Sequence, residues 1–189
     1  EVPAAAEVLL KQATPLEVIN EHIIPALDRV GQRYEDGTVF LPQLMASAEA
    51  AQAAFETVRR RMPRTAGEKG TIILATVKND VHDIGKNIVK MLLENYGYQV
   101  IDLGRDVEPE AVVRAALETR APLVGLSSLM TTTAQNIAVT IRALREAGAP
   151  CKVMVGGAVV TQAFADQIGA DFYTRDAAQS AKVAAQVFG

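Results

Sequence analysis

The residues of this sequence best suited to chemistry are Asp80 and His82, in the hexapeptide Asp80-Val81-His82-Asp83-Ile84-Gly85, which holds one of only two histidines in the chain. An imidazole offered from a loop can ligate a metal through one ring nitrogen, and a carboxylate two residues earlier can hold the other. Two further segments carry unusual residues, Ser127-Ser128-Leu129-Met130-Thr131-Thr132-Thr133 and Gly156-Gly157-Ala158. Ser127 offers a hydroxyl at an otherwise apolar strand end. Thr133 can reach Asp80 and Asp80 can reach His82, which makes a hydrogen-bonded relay behind a metal ligand. The paired glycines let a bulky ligand approach the backbone. Taken singly, each segment has an ordinary explanation: a loop histidine that only hydrogen-bonds, hydroxyls that cap a helix, glycines that make a turn. Zinc does not fit, because one histidine without nearby cysteines lacks the three or four protein ligands zinc requires. One protein ligand is enough only when the metal arrives held by a macrocycle.

The elements around these segments explain how they meet. Apolar, β-branched runs at 71–77, 99–103, 123–127, 151–155 and 171–173 read as buried strands. Helical patterns at 84–96, 109–119, 133–147, 161–168 and 177–187 alternate with them, and Gly97, Gly148 and Gly169 stand where C-terminal glycines are expected. Five such βα units predict an α/β fold, a doubly wound, flavodoxin-like parallel sheet of order 2-1-3-4-5. In that topology the hexapeptide, the Ser/Thr segment and the Gly-Gly pair all follow carboxyl ends of strands, where such sheets bind ligands. Their shared edge favours a site.

Residues 1–63 show no strand pattern and predict a small helical bundle. A first helix is expected at 4–13. Thr14 is a candidate N-cap before Pro15, and Leu16, Ile19, Ile23, Leu27 and Val30 give the next helix an apolar face. Pro25 should kink that helix. Glu35-Asp36-Gly37 signals a turn, and an alanine-rich helix is expected at 41–62. A polar linker at 63–70, with Gly67 and Gly70 as hinge points, divides the chain into domains 1–66 and 70–189.

The formal net charge of −3 and a pI near 5.5 argue against nucleic-acid binding. The one basic run, Arg59-Arg60-Arg61, sits where it complements a helix C-terminus. No apolar stretch is long enough to span a bilayer and no signal-peptide pattern is present. The single cysteine, Cys151, permits no internal disulfide and fits a reducing cytoplasm, with the thiol serving as packing. Beginning at Glu1 rather than Met, the sequence reads as processed or as a piece of something larger.

Asp80-x-His82-x-x-Gly85, Ser127-x-Leu129 and Gly156-Gly157, in this order, resemble the signature of the cobalamin-binding modules of corrinoid-dependent methyltransferases. Residues 30–44 resemble the helical cap of those modules, so the resemblance spans essentially the whole chain. Within the family, residues 75–87 and Val153-Met154-Val155-Gly156-Gly157-Ala158 look nearest to methionine synthase. The resemblance implies cobalamin as cofactor, with methylcobalamin as its methyl-bearing form and His82 as the lower ligand to cobalt. Asp80, His82 and Thr133 then form the catalytic relay. Val81, Asp83, Ile84, Gly85, Ser127, Leu129, Thr131, Gly156, Gly157 and Ala177 contact the cofactor or its nucleotide tail, with Ser127 on the base. Tyr34, Leu41 and Leu44 shield the methyl group from the cap, and Tyr34 departs from the phenylalanine associated with methionine synthase there. A bundle-core role is the plain alternative for these three.

The expected function is accordingly a methyl carrier, the cobalamin part of methionine synthase, moving methyl from methyltetrahydrofolate to homocysteine and catalysing little in isolation. Expected partners are the folate and homocysteine domains or subunits and a reactivation partner, with neither nucleic acid nor membrane. The nearest alternative is a stand-alone corrinoid protein serving methanol, methylamine or methyl-ether methyltransferases. A non-enzyme alternative is a cobalamin-sensing regulator.

Overall fold

Near-continuous apolar runs bounded by glycine or polar turns become central parallel strands, because both faces of such a sheet are covered by helices. The computed structural model describes residues 2–61 and 69–189. The chain divides into two compact units, Glu1–Pro63 and Arg64–Gly189. In the second unit the strands are β1 (Thr71–Thr76), β2 (Gln99–Asp102), β3 (Leu123–Ser127), β4 (Lys152–Gly156) and β5 (Phe172–Thr174). They pair in the order β2-β1-β3-β4-β5, all parallel. The doubly wound order expected from the sequence is therefore the one observed.

The strand alternation sorts the core onto two faces. Ile73, Ala75, Val124, Leu126, Val153 and Val155 pack on one side, together with Ile137, Ile141 and Leu144. Ile72, Leu74, Leu123 and Met154 pack on the other with Leu93, Tyr98 and Ala184. Register then places Thr76, Ser127, Gly156 and Thr174 in one row across four strands. Each is the last residue of its strand, so this row is the carboxyl edge that the loops must furnish.

Strand ends differ slightly from the sequence pattern. Val77 leaves the ladder and forms a lone bridge to Val107. Cys151 precedes β4, its N–H donating to Ala149. The helix after β3 begins two residues early, at Thr131, so Thr133 lies in its first turn. The helices of this unit, numbered after four in the first, are α5 (Ile84–Asn95), α6 (Pro109–Thr119), α7 (Thr131–Glu146), α8 (Gln162–Gln167) and α9 (Ala177–Phe188).

The first unit is helical. Its helix α1 (Val2–Leu9) is shorter than expected and unwinds through turn bonds as far as Ala13. The reason is local: Thr14 adopts extended backbone as N-cap of α2 (Pro15–Glu17), with a reciprocal capping box to Glu17, so no helix can run through it. A π-helical segment, Val18–Ile23, follows and leads into α3 (Ile24–Glu35). Pro25 therefore does not end the run. The Ile24 N–H bonds five residues back to Ile19, and this wider turn accommodates a ring that has no N–H to offer. Gly31 stays helical, Gly37 makes the turn at φ 71°, and α4 (Leu41–Arg61) completes the unit. The expected linker at 63–68, with its Gly67 hinge, and the Leu16 side chain lie outside the described residues.

Candidate functional site

The site grows from the end of β1. Residues 77–83 turn sharply, with Asn79 in the left-handed region at φ 66° and the Asp80 N–H donating to Val77. The turn swings the Asp80 carboxylate inward until its side chain is fully buried. A buried carboxylate is costly unless its oxygens are saturated with donors, and here they are. Oδ1 accepts from the His82 backbone N–H at 3.0 Å and lies 2.9 Å from His82 Nδ1. Oδ2 accepts from Ser128 Oγ at 3.0 Å, Leu129 N–H at 2.8 Å and Thr133 Oγ1 at 2.7 Å. Burial alone would raise the Asp80 pKa. The bonds from the His82 amide, Thr133, Leu129 and the His82 ring outweigh it and hold the carboxyl far below the ordinary carboxylate range.

This fixes which nitrogen faces the carboxylate. An ionised carboxylate only accepts, so the proton shared with Asp80 resides on Nδ1 of His82, and in the neutral ring Nε2 is the nitrogen whose lone pair is left for a ligand. The His82 side chain is 44% exposed. Thr133, Asp80 and His82 are thus joined as the spacing suggested. Sequence reasoning missed Ser128, which is buried beside Asp80 and lies 2.8 Å from Thr133 Oγ1. Its signal was strand alternation: of two adjacent serines at a strand end, only one can face the row. The other one, Ser127, pairs with Thr76 Oγ1 at 2.9 Å.

The glycines have reasons of different kinds. A Cβ on Gly157 (φ +131°) would sit 1.9 Å from the Ser128 carbonyl oxygen, and one on Gly156 would sit 2.9 Å from that of Thr174. Their smallness is demanded first by the protein's own strand ends, rather than by a ligand as the sequence suggested. Gly85 is the opposite case. Its Cβ would meet nothing within 4 Å, and its backbone is not left-handed. Among the described residues no atom requires glycine at the start of α5, and the space above it is open beside the histidine loop.

The remaining expected contacts divide. Val81, Leu129 and Met130 are large apolar side chains left exposed in the two loops that hold the relay. Asp83 is the N-cap residue of α5 and Ile84 its first residue, both half-buried, and Thr131 opens α7 and is exposed. Ala177 opens α9 beyond β5, and β5 is separated from β1 by two strands. In the helical unit Tyr34 and Leu41 are exposed and Leu44 is half-buried, so the first two are not bundle core. Phe40 and Met45, which the sequence reading passed over, are exposed there as well.

Among the described residues no group of three or more His, Cys, Asp or Glu is arranged to hold a metal ion. The donor set fits a macrocycle-held metal: one exposed imidazole with a fixed tautomer, an apolar surround, and open space over Gly85. No described helix is long and apolar enough to cross a membrane.

Comparison with known proteins gives concordant results. A family model for a B12 binding domain matches residues 70–185, and a second model of the same description matches residues 2–59. The chain is 42% identical to dimethylamine corrinoid protein 2 of Methanosarcina mazei over 95% of its own length and 86% of the relative's. Its structure is similar to the monomethylamine corrinoid protein of Methanosarcina barkeri, with a TM-score of 0.92, 33% identity, and coverage of 98% and 90%. A chain of the methanol:cobalamin methyltransferase complex of Methanosarcina barkeri is 34% identical with a TM-score of 0.63, covering 92% of this chain and 67% of that one.

These findings overturn the methionine synthase assignment. Relatives similar along nearly the whole chain are corrinoid proteins named for methylamines, so the enzyme type, methionine biosynthesis and the folate and homocysteine partners fall together. The cause of the error is physical. Residues 75–87 build the loop that presents His82, and that loop answers to the cofactor, whichever protein supplies the methyl group. Tyr34 in place of phenylalanine was the one visible sign against the assignment.

Proposed function

Since the chain belongs to the B12-binding family, we propose that it is the corrinoid methyl carrier of a methylated-amine methyltransferase system, docking in turn with separate donor-side and acceptor-side proteins. Cobalamin is its cofactor. When bound, cobalamin supplies a cobalt atom able to take up and release a methyl group, and the protein orients and tunes it. His82 would hold the cobalt through Nε2 while Asp80 holds the proton at Nδ1. Ser128, Leu129 and Thr133 keep Asp80 ionised and in place. Val81 and Leu129 offer apolar contact around the ligand nitrogen. Gly85 leaves room for the nucleotide tail, with Ser127 and the Gly156-Gly157 turn further along the same edge. In this reading the helical unit is residues 1–66, and its exposed apolar side chains Tyr34, Phe40, Leu41 and Met45 are the ones available to shield the methyl group. Residues 70–189 hold the cofactor.

The observation that carries this reading is a half-exposed imidazole anchored through Nδ1 to a fully buried, fully hydrogen-bonded carboxylate. Loading the protein with cob(II)alamin tests it. The expected electron paramagnetic resonance spectrum shows coupling to one imidazole nitrogen, and His82→Ala abolishes that coupling while cobalamin stays bound. Unchanged coupling in the variant would sink the ligand assignment. The amine assignment is tested by presenting the loaded protein to methyltransferases specific for mono-, di- and trimethylamine and for methanol. Methylation by the methanol enzyme alone would refute it.

A further inference from the structure

The segment that follows β2 carries none of the cofactor motifs, yet it is bonded along its length to the histidine loop. Thr76 N–H donates to the Gly104 carbonyl, Val107 N–H donates to that of Thr76, and Val107 bridges to Val77. At the centre stands Asp106, a non-glycine residue at φ 54°. Its N–H donates to the Asp80 carbonyl at 2.9 Å. Its Oδ1 accepts from the Asn79 N–H at 2.8 Å and pairs with Lys78 Nζ at 3.1 Å. Lys78 also pairs with Glu108 at 2.8 Å, and its carbonyl accepts from Asn136 Nδ2 at 2.6 Å.

A left-handed conformation is unfavourable for an L-residue and persists where the surroundings over-determine it. Here it lets one residue deliver both an N–H and a carboxylate oxygen to the same stretch, 78–80. Asp80 is consequently gripped at both ends. Ser128, Leu129 and Thr133 hold its carboxylate, and Asp106 holds its main-chain carbonyl. With both ends fixed, the position of Oδ1 is fixed, and with it the imidazole that hangs from Oδ1.

We propose that Asp106 is a positioning residue that sets the height and angle at which the Asp80–His82 pair offers its nitrogen to the cofactor metal. The proposal rests on the reading of His82 as lower ligand. The Lys78 and Asp106 side chains are 32% and 47% exposed, so their ion pair is solvent-screened. The oxygen that accepts from Asn79 is therefore the working part, and the negative charge is secondary.

Two substitutions separate these features. Asp106→Asn keeps an acceptor oxygen and tolerates the left-handed backbone. Asp106→Gly relieves the backbone and removes the oxygen, so the side-chain clamp is lost without added strain. Two readouts apply: amide hydrogen exchange at Asn79 and His82 in the cobalamin-free protein, and the fraction of bound cob(II)alamin showing imidazole coupling. D106N should match the parent in both. D106G should exchange at least tenfold faster at Asn79 and lose at least half of the coupled fraction, with cobalamin still bound. Parent-like exchange and coupling in D106G overturn the proposal, as does D106N falling as far as D106G. If D106G folds poorly, D106N against Lys78→Met decides by the same readouts, because the proposal requires both to stay near the parent. A parent protein without imidazole coupling refutes the ligand reading instead, and the cobalamin-free exchange still decides whether Asp106 holds the loop.

Discussion

Replacing Asp80 by asparagine exposes how the site is built. The carboxylate meets two donors from His82 at Oδ1 and three at Oδ2. An amide has one oxygen and one NH2, so either orientation sets NH2 against a backbone N–H. With oxygen toward His82, the Leu129 N–H at 2.8 Å is opposed. With oxygen toward Leu129, the His82 N–H at 3.0 Å is opposed, and Nδ1 must give up its proton to accept from the amide. A buried unsatisfied donor costs about 1–3 kcal/mol, and bonds to a charged acceptor contribute about 1.5–3 kcal/mol each. Asp80→Asn should therefore destabilise the cobalamin-free protein by roughly 3 kcal/mol at pH 7.

The pH dependence carries the sign. Asp80 has a depressed folded pKa, so its stabilisation is complete above the unfolded value, about 3.9, and is lost as pH falls below that value toward the folded one. Asp80 is ionised in both the folded and the unfolded parent from pH 7 to about pH 5, so its own contribution to the gap does not change there. One unit below the unfolded value it should be about 1.4 kcal/mol smaller, because the unfolded parent binds a proton that the folded parent refuses. Urea unfolding of both proteins at pH 7, 5 and 3, followed by circular dichroism, measures the gap. A gap below 1 kcal/mol at pH 7, or one that does not narrow at pH 3, refutes the picture of a saturated buried carboxylate.

Two glycine variants should behave oppositely. Gly85→Leu enters open space in a helix, so the cobalamin-free fold should keep or gain stability, by up to about 1 kcal/mol, while cobalamin affinity falls at least tenfold. Parent-like affinity in spectroscopic titration would remove Gly85 from the cofactor site. Gly157→Ala forces a Cβ onto the Ser128 carbonyl at a backbone conformation open mainly to glycine, costing roughly 3 kcal/mol or more and lowering the melting temperature by about 10 °C. An unchanged melting temperature would contradict the close approach of the strand ends.

The fold was legible because buried parallel strands are written as apolar runs and their order follows from right-handed crossovers. Errors fell where apolar character outlasts the ladder, as at Val77, which is apolar because it packs against Val107 and not because β1 continues. At Pro25 the sequence shows an interruption but not its form, because the rule for proline in an α-helix does not anticipate a π turn. Asp80 and His82 were legible because their contact is local, two residues apart. Lys86 was not. It sits one residue past the motif with its ammonium buried against Asp102 at 2.7 Å, a pairing that exists only once β2 lies beside β1. The same holds for Asp106, whose partners are about a strand and a helix away in sequence. The methyl donor was illegible for a deeper reason. Donor specificity in a carrier resides in what docks with it, and the loop residues only report the cofactor.

The donors around Asp80 outnumber what one oxygen can take. Oδ2 has room for about two strong bonds, yet Ser128, Leu129 and Thr133 all lie within reach. Each hydroxyl has the Met130 carbonyl as a second acceptor, at 3.3 Å from Ser128 and 3.0 Å from Thr133. One hydroxyl can therefore turn away while the other remains, with no heavy atom moving. The carboxylate stays satisfied in either arrangement, so its grip on the imidazole does not depend on which hydroxyl faces it. A lone histidine can serve as the sole protein ligand to a macrocycle-held metal only if its orientation is fixed from behind. A surplus of donors, arriving from two loops and a helix turn, supplies that constraint more reliably than one well-placed bond.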